Sequence, residues 1–153
     1  MKRTRFVLIS VLLLLAASFL LLNGCNYITG ATLNGSIQTR LPVELIKNIS
    51  PTEAYAVIAL NAGHVNFTLI DVRTPAEYAA GHIPGAINRD LNSPTFKDDI
   101  AIFDKSKIYL LYCHSGARSA SARDVMQELG FQQIYSMIGG ITDWMVQGLP
   151  VVK

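Results

Sequence analysis

The sequence predicts an α/β protein, a central, mostly parallel five-stranded sheet with helices on both faces. Three observations predict it. Short β-branched and aromatic runs alternate with helical patterns along residues 44–153, the order that builds a parallel sheet through helical crossovers. Two helix starts carry the same signature of hydroxyl, Pro and Glu, at Ser50-Pro51-Thr52-Glu53 and Thr74-Pro75-Ala76-Glu77. Residues 107–130 read as strand, Gly-containing loop and helix in succession, with a cysteine where the loop begins.

Each element has its own warrant. Residues 43–49 are expected as a short edge strand. Ser50 caps the first helix, with Pro51 in its first turn, Glu53 returning to the cap, and Ala54, Val57 and Ile58 on the buried stripe. Residues 65–72 contain the second strand, Phe67-Thr68-Leu69-Ile70 being its core, and it ends in Asp71-Val72-Arg73. Thr74 and Glu77 repeat the capping logic for a short helix that stops at Gly81. A turn follows, with a brief strand at 86–88. Residues 93–103 are expected to be helical, with Ser93 capping and Pro94 in the first turn.

Residues 107–112 read as a buried strand. Ala122, Val125, Met126 and Leu129 fall at i, i+3, i+4 and i+7 on the helix after it, which Gly130 closes. The last strand is expected at 133–137. Gly139 and Gly140 then turn tightly into a helix bearing Ile141, Trp144 and Met145, which ends near Gly148 before Pro150. In sheets of this kind sites lie at the carboxyl ends of strands. Asp71-Val72-Arg73 and Cys113 both stand at such ends.

Cys113 opens the segment Cys113-His114-Ser115-Gly116-Ala117-Arg118. The first amides of a helix have no intrahelical partner and carry the positive end of its dipole. A loop wound around a sulfur can aim further N–H groups at it. Such surroundings lower cysteine thiols from about 8.5 into the range of roughly 3.5–7.5, and the thiolate is the nucleophile. Arg118 adds a permanent positive charge. A lone Cys at a strand end is often only a small buried hydrophobe; here the Gly-x-Arg and the helix start that follow favour chemistry.

Composition bounds the class. The 153 residues suggest one domain, and half are hydrophobic, but much of that excess lies near the N-terminus. Setting aside Lys2, Arg3 and Arg5 leaves ten basic residues against eleven acidic ones. No basic patch points to a nucleic-acid partner.

Residues 1–24 read as a targeting segment: the basic head, seventeen mostly apolar residues at 6–22, then Leu22-Asn23-Gly24-Cys25. The last four resemble a bacterial lipoprotein signal, which implies cleavage after Gly24 and lipid on Cys25. An uncleaved signal anchor and an ordinary secretory signal fit the same block. Under the lipoprotein reading residues 25–43 form a flexible tether, and the domain sits at a membrane surface outside the cytoplasm. The chain has two cysteines, so Cys113 is then left without a disulfide partner. An unpaired thiol in an exported domain calls for a reason.

Taken in order, several short motifs resemble the rhodanese family of sulfurtransferases. They are Asp71-Val72-Arg73, Glu77-Tyr78, Gly81-His82-Ile83-Pro84-Gly85-Ala86, Cys113-x-x-Gly116-x-Arg118-Ser119, and Gly139-Gly140 with Trp144, Gly148, Pro150 and Val151. The match spans residues 49–151. It implies one small α/β domain in which Cys113 becomes a persulfide and passes the outer sulfur to an acceptor. The donor would be a small sulfur compound such as thiosulfate. The acceptor would be a thiol, a protein thiol partner or a cyanide-like nucleophile. No metal or organic cofactor is implied.

Amides of His114, Ser115, Gly116, Ala117 and Arg118 would form the anion-binding loop, with Asp71 and Arg73 as a supporting pair that could equally be structural. His82 and Trp144 are read as structural. One departure matters: many active members carry Arg or Lys directly after the cysteine, where this chain has His114. Imidazole is largely neutral above about pH 6.5, so thiosulfate affinity is expected to be weak.

Two rivals share these features. A phosphatase or arsenate reductase also places Cys in an anion loop, but the phosphatase pattern needs Arg six residues on, where Ser119 stands here. A non-catalytic binding module of the same family would not need Cys113.

Overall fold

The structure, a computed structural model, describes residues 45–153. The signal segment 1–24, the tether 25–43, Cys25 and the first two residues of the expected edge strand lie outside the described residues. Within them the first half of the chain runs β1 (Leu45–Ile49), α1 (Pro51–Leu60), β2 (Phe67–Asp71), α2 (Pro75–Ala80) and β3 (Ile87–Asn88). The second half runs α3 (Phe96–Ala101), β4 (Ile108–Tyr112), α4 (Ala117–Glu128), β5 (Gln133–Met137) and α5 (Gly140–Val146). The five strands form one sheet in the order β1-β5-β4-β2-β3, and every pairing is parallel.

Strand alternation sorts the core into two faces. Tyr109, Leu111 and Cys113 point to one face, with Ile70 of β2 and Val72 just beyond it, Ile134 of β5, Phe96 and Ile100 of α3, and Ala122 and Met126 of α4. Leu110 and Tyr112 point to the other, with Leu69, Met137, Ala54 of α1, and Ile141 and Trp144 of α5. The crossovers β1 to β2 and β2 to β3 run one way along the sheet and keep α1 and α2 on one face. Those from β3 to β4 and β4 to β5 return and keep α3 and α4 on the other. A single handedness of crossover requires that swap. The chain therefore leaves β2 and β4, which are neighbours, in opposite directions. A crevice opens between their carboxyl ends.

Both expected capping boxes are present: Ser50 Oγ and Thr74 Oγ1 accept from the amides of Glu53 and Glu77, and each Glu returns to its cap. The expected cap at Ser93 is corrected. The helix starts at Phe96, and Ser93 instead closes a turn, its carbonyl accepting from the Phe96 amide and its hydroxyl from that of Thr95. Burial of Phe96 and Ile100 against the sheet sets that register. The same helix ends at Ala101, short of Phe103. The second strand is likewise shorter than 65–72, because Val65 is exposed and pairing with β4 begins at Phe67.

Candidate active site

Cys113 stands at the end of β4, beside the end of β2: Asp71 is the register partner of Tyr112, and the Val72 amide donates to the Tyr112 carbonyl at 2.9 Å. Four residues, Cys113 to Gly116, join β4 to α4. Gly116 has φ +98° and serves as the N-cap of α4. That conformation turns its amide back on the loop, where it donates to Cys113 Sγ at 3.1 Å. Its carbonyl faces the helix and accepts from the Ala120 amide and the Ser119 hydroxyl. The helix begins at Ala117, so its positive end lies directly beside the sulfur's loop.

The outer wall of the loop comes from α5. The Ile141 amide donates to the Cys113 carbonyl at 2.8 Å and the Thr142 amide to the His114 carbonyl at 3.1 Å. The Thr142 hydroxyl reinforces the second bond at 2.9 Å. In a trans peptide the N–H points opposite to the C=O. Drawing both carbonyls toward α5 therefore turns the amides of His114 and Ser115 away from it. The sequence marks this contact only by Gly139-Gly140, a signature of close backbone approach.

The remaining site residues separate into two ion pairs. Arg118 reaches back to Glu77 with both terminal nitrogens, at 2.8 and 2.7 Å. The pair joins the Cys loop to the cap of α2 across 41 residues. The Arg118 guanidinium, helped by Thr74, holds the Glu77 carboxyl down at about 2. Arg118 thus braces the loop. Asp71 and Arg73 close on one another: Nε lies 3.0 Å from both carboxylate oxygens and an Nη at 2.6 Å from Oδ2. The same Nη donates to the Gly81 carbonyl at 2.7 Å, and the Arg73 amide caps Asp71 Oδ1. With the two residues 0 % and 5 % exposed, the pair braces the strand end. Tyr112 lies beneath it, accepting from the Ile83 amide; burial, with Asp71 adding to it, pushes its phenol well above the ordinary range.

Cys113 itself is 1 % exposed, whereas His114, Ser115 and Ala117 are exposed. The structure so brings Cys113, Gly116 and the start of α4 together at the crevice, and leaves both arginines engaged with carboxylates. The pairing of Arg118 with Glu77 and the part played by Ile141 and Thr142 were not anticipated.

A Glu77 carboxyl lowered in the folded state supports stability above its ordinary value of 4.5 and loses that support as pH falls toward about 2. Glu77→Gln should therefore lower the melting temperature at pH 7 and converge on the parent protein as acid is added. A constant gap between the two melting curves from pH 7 to 2 would contradict the linkage.

A buried thiol cradled at the switch point of an all-parallel sheet defines an α/β protein organised around one cysteine loop. The chain belongs to the rhodanese-like domain family, whose pattern residues 50–147 match. It is 36% identical over 84 residues to a sulfurtransferase of Allochromatium vinosum, a span of 55% of this chain and 77% of that one. It is also 36% identical over 98 residues to the thiosulfate sulfurtransferase GlpE of Stutzerimonas stutzeri, covering 64% of this chain and 84% of the relative. Among solved structures, a rhodanese-related protein from Thermoplasma volcanium superposes with a TM-score of 0.59 at 30% identity, over 69% of this chain and 97% of the other.

Proposed function

We propose that the protein is a sulfurtransferase that carries a sulfane sulfur on Cys113 outside the cytoplasm, held to a membrane by lipid on Cys25. The observation that carries the chemical reading is the Gly116 amide on Cys113 Sγ at 3.1 Å, inside a loop closed by only four residues. Amides fixed around a sulfur stabilise thiolate and persulfide alike without reorganising. The similarity to proteins named thiosulfate sulfurtransferases supports the substrate class.

With thiosulfate as donor, the Cys113 thiolate attacks the outer sulfur. The S–S bond of thiosulfate breaks, sulfite leaves with the electron pair, and Cys113 holds a persulfide. An acceptor thiolate then attacks the outer sulfur and restores the Cys113 thiolate; cyanide would leave as thiocyanate in the same way. No proton is needed in the first half.

Phosphoryl transfer is disfavoured by Arg118. A phosphate loop needs its arginine for bidentate contact with the anion, and here both terminal nitrogens bond Glu77. The Lys2, Arg3 and Arg5 head, the apolar block and Leu22-Asn23-Gly24-Cys25 support the anchored reading.

One measurement addresses both parts. Peptide mass spectrometry of the full-length protein, expressed in a bacterium, recovered from membranes and treated with thiosulfate, should find about 32 Da added to Cys113. The mature chain should begin at a lipid-bearing Cys25. Cys113→Ser should gain no sulfur. Failure to load sulfur from several sulfane donors would remove the enzymatic reading, and an unmodified Cys25 would remove the anchor.

A further inference from the structure

His114 follows Cys113 directly, and its side chain is exposed. Thr142 of α5 lies against both its carbonyl and its ring. The Thr142 hydroxyl donates to the His114 carbonyl at 2.9 Å, and the same oxygen lies 3.5 Å from His114 Nε2. A threonine hydroxyl has one proton. With that proton directed to the carbonyl, which also accepts from the Thr142 amide, the hydroxyl oxygen is left able to accept from an Nε2–H. In a neutral imidazole the lone pair then sits on Nδ1. Among the described residues no hydrogen bond reaches Nδ1.

The two half-reactions differ in their need for a base. Loading from thiosulfate moves no proton. Discharge to a thiol requires one to leave, since only the thiolate attacks and a cysteine-like thiol of pKa about 8.5 is mostly protonated at neutral pH. Arg or Lys after the cysteine could attract an anion but could not take up that proton.

We propose that His114 is the proton acceptor for the incoming thiol in the discharge half-reaction, an inference that rests on the persulfide reading of Cys113. His114 Nδ1 takes the proton of R–SH and becomes imidazolium, still donating through Nε2 to Thr142. The R–S⁻ sulfur bonds to the outer sulfur of the persulfide. The bond from that sulfur to Cys113 Sγ breaks, and its electron pair remains on Sγ as thiolate. The proton passes from the imidazolium to the departing R–S–S⁻. Atoms, charge and electrons balance, and no oxidant or reductant enters. The ionisable groups nearest His114 on the surrounding elements are Cys113 of its own loop, Arg118 in the first turn of α4, Asp143 of α5, and Glu77 of α2, which Arg118 neutralises.

The test separates acceptors by their need for a base. Full-length protein preloaded with sulfur is mixed in stopped flow with 2-mercaptoethanol, protonated at neutral pH, or with 5-thio-2-nitrobenzoate, already ionised. In His114→Gln, discharge to 2-mercaptoethanol should slow by roughly a hundredfold, the lower end of what general-base catalysis contributes, and discharge to 5-thio-2-nitrobenzoate far less. Thr142→Val should likewise slow discharge to 2-mercaptoethanol more than discharge to 5-thio-2-nitrobenzoate, and Thr142→Ser should restore the parent protein's ratio of the two rates. Equal slowing with both acceptors, or no slowing with either, would overturn the role of His114. Parent protein that never acquires sulfur at Cys113 would overturn the persulfide reading itself, and mass spectrometry reads that separately before discharge begins.

Discussion

Replacing Asp71 with alanine is expected to destabilise the domain by about 3–5 kcal/mol, the usual cost of removing one partner from a buried ion pair. Arg73 would keep its charge in a site where the residue is 5 % exposed, with the Gly81 carbonyl as its remaining hydrogen-bond acceptor and the Tyr112 ring 5.8 Å away. The Arg73 amide would also lose its acceptor. Removing both charges tests the cause. Asp71→Leu with Arg73→Met deletes the stranded cation, so urea denaturation should show the double variant more stable than Asp71→Ala. Equal or lower stability in the double variant would mean that packing at the strand end, and not the unpaired charge, dominates.

Gly140→Ala should be nearly as damaging, by about 2–5 kcal/mol, from overpacking together with left-handed strain. A methyl there would overlap the carbonyls of Cys113 and His114, at a backbone φ of +60° that side chains resist. Relief requires α5 to back away from the loop, which would loosen the bonds from Ile141 and Thr142. Sulfur loading on Cys113 should fall with stability. Gly148→Ala supplies the control: its φ is +69°, but nothing lies within 4 Å of the added carbon, so strain acts there without collision. It should cost only about 1–2 kcal/mol and leave loading intact. Similar losses in the two variants would show that the Gly140 contact with the loop is not tight.

The sequence showed the elements whose causes are local. Ser50 with Glu53 and Thr74 with Glu77 are four-residue devices, and both formed as expected. The buried strand in 107–112, with Cys113 at its end, needed only a short run of β-branched, aromatic and aliphatic residues. What sequence could not show depends on distant partners. Ser93 and Thr95 both offer a hydroxyl near Pro94, and burial of Phe96 and Ile100 chose between them. Arg118 is a loop cation in the sequence and a brace in the fold, because α2 brings Glu77 beneath it from 41 residues away. Thr142 carries no motif at all; its part follows from how α5 docks on the loop.

The two ion pairs also govern arrival. Arg73 and Arg118 flank the crevice, yet each is matched by a carboxylate, so a donor approaching these strand ends meets little unbalanced field. Electrostatic focusing, which elsewhere speeds charged ligands by 10–10³, gains little from these two pairs. On the sulfurtransferase reading, these two arginines therefore add little to the attraction of an anionic donor or to its dependence on ionic strength. Discrimination among donors falls to the last few ångströms, where the Gly116 amide meets the sulfur.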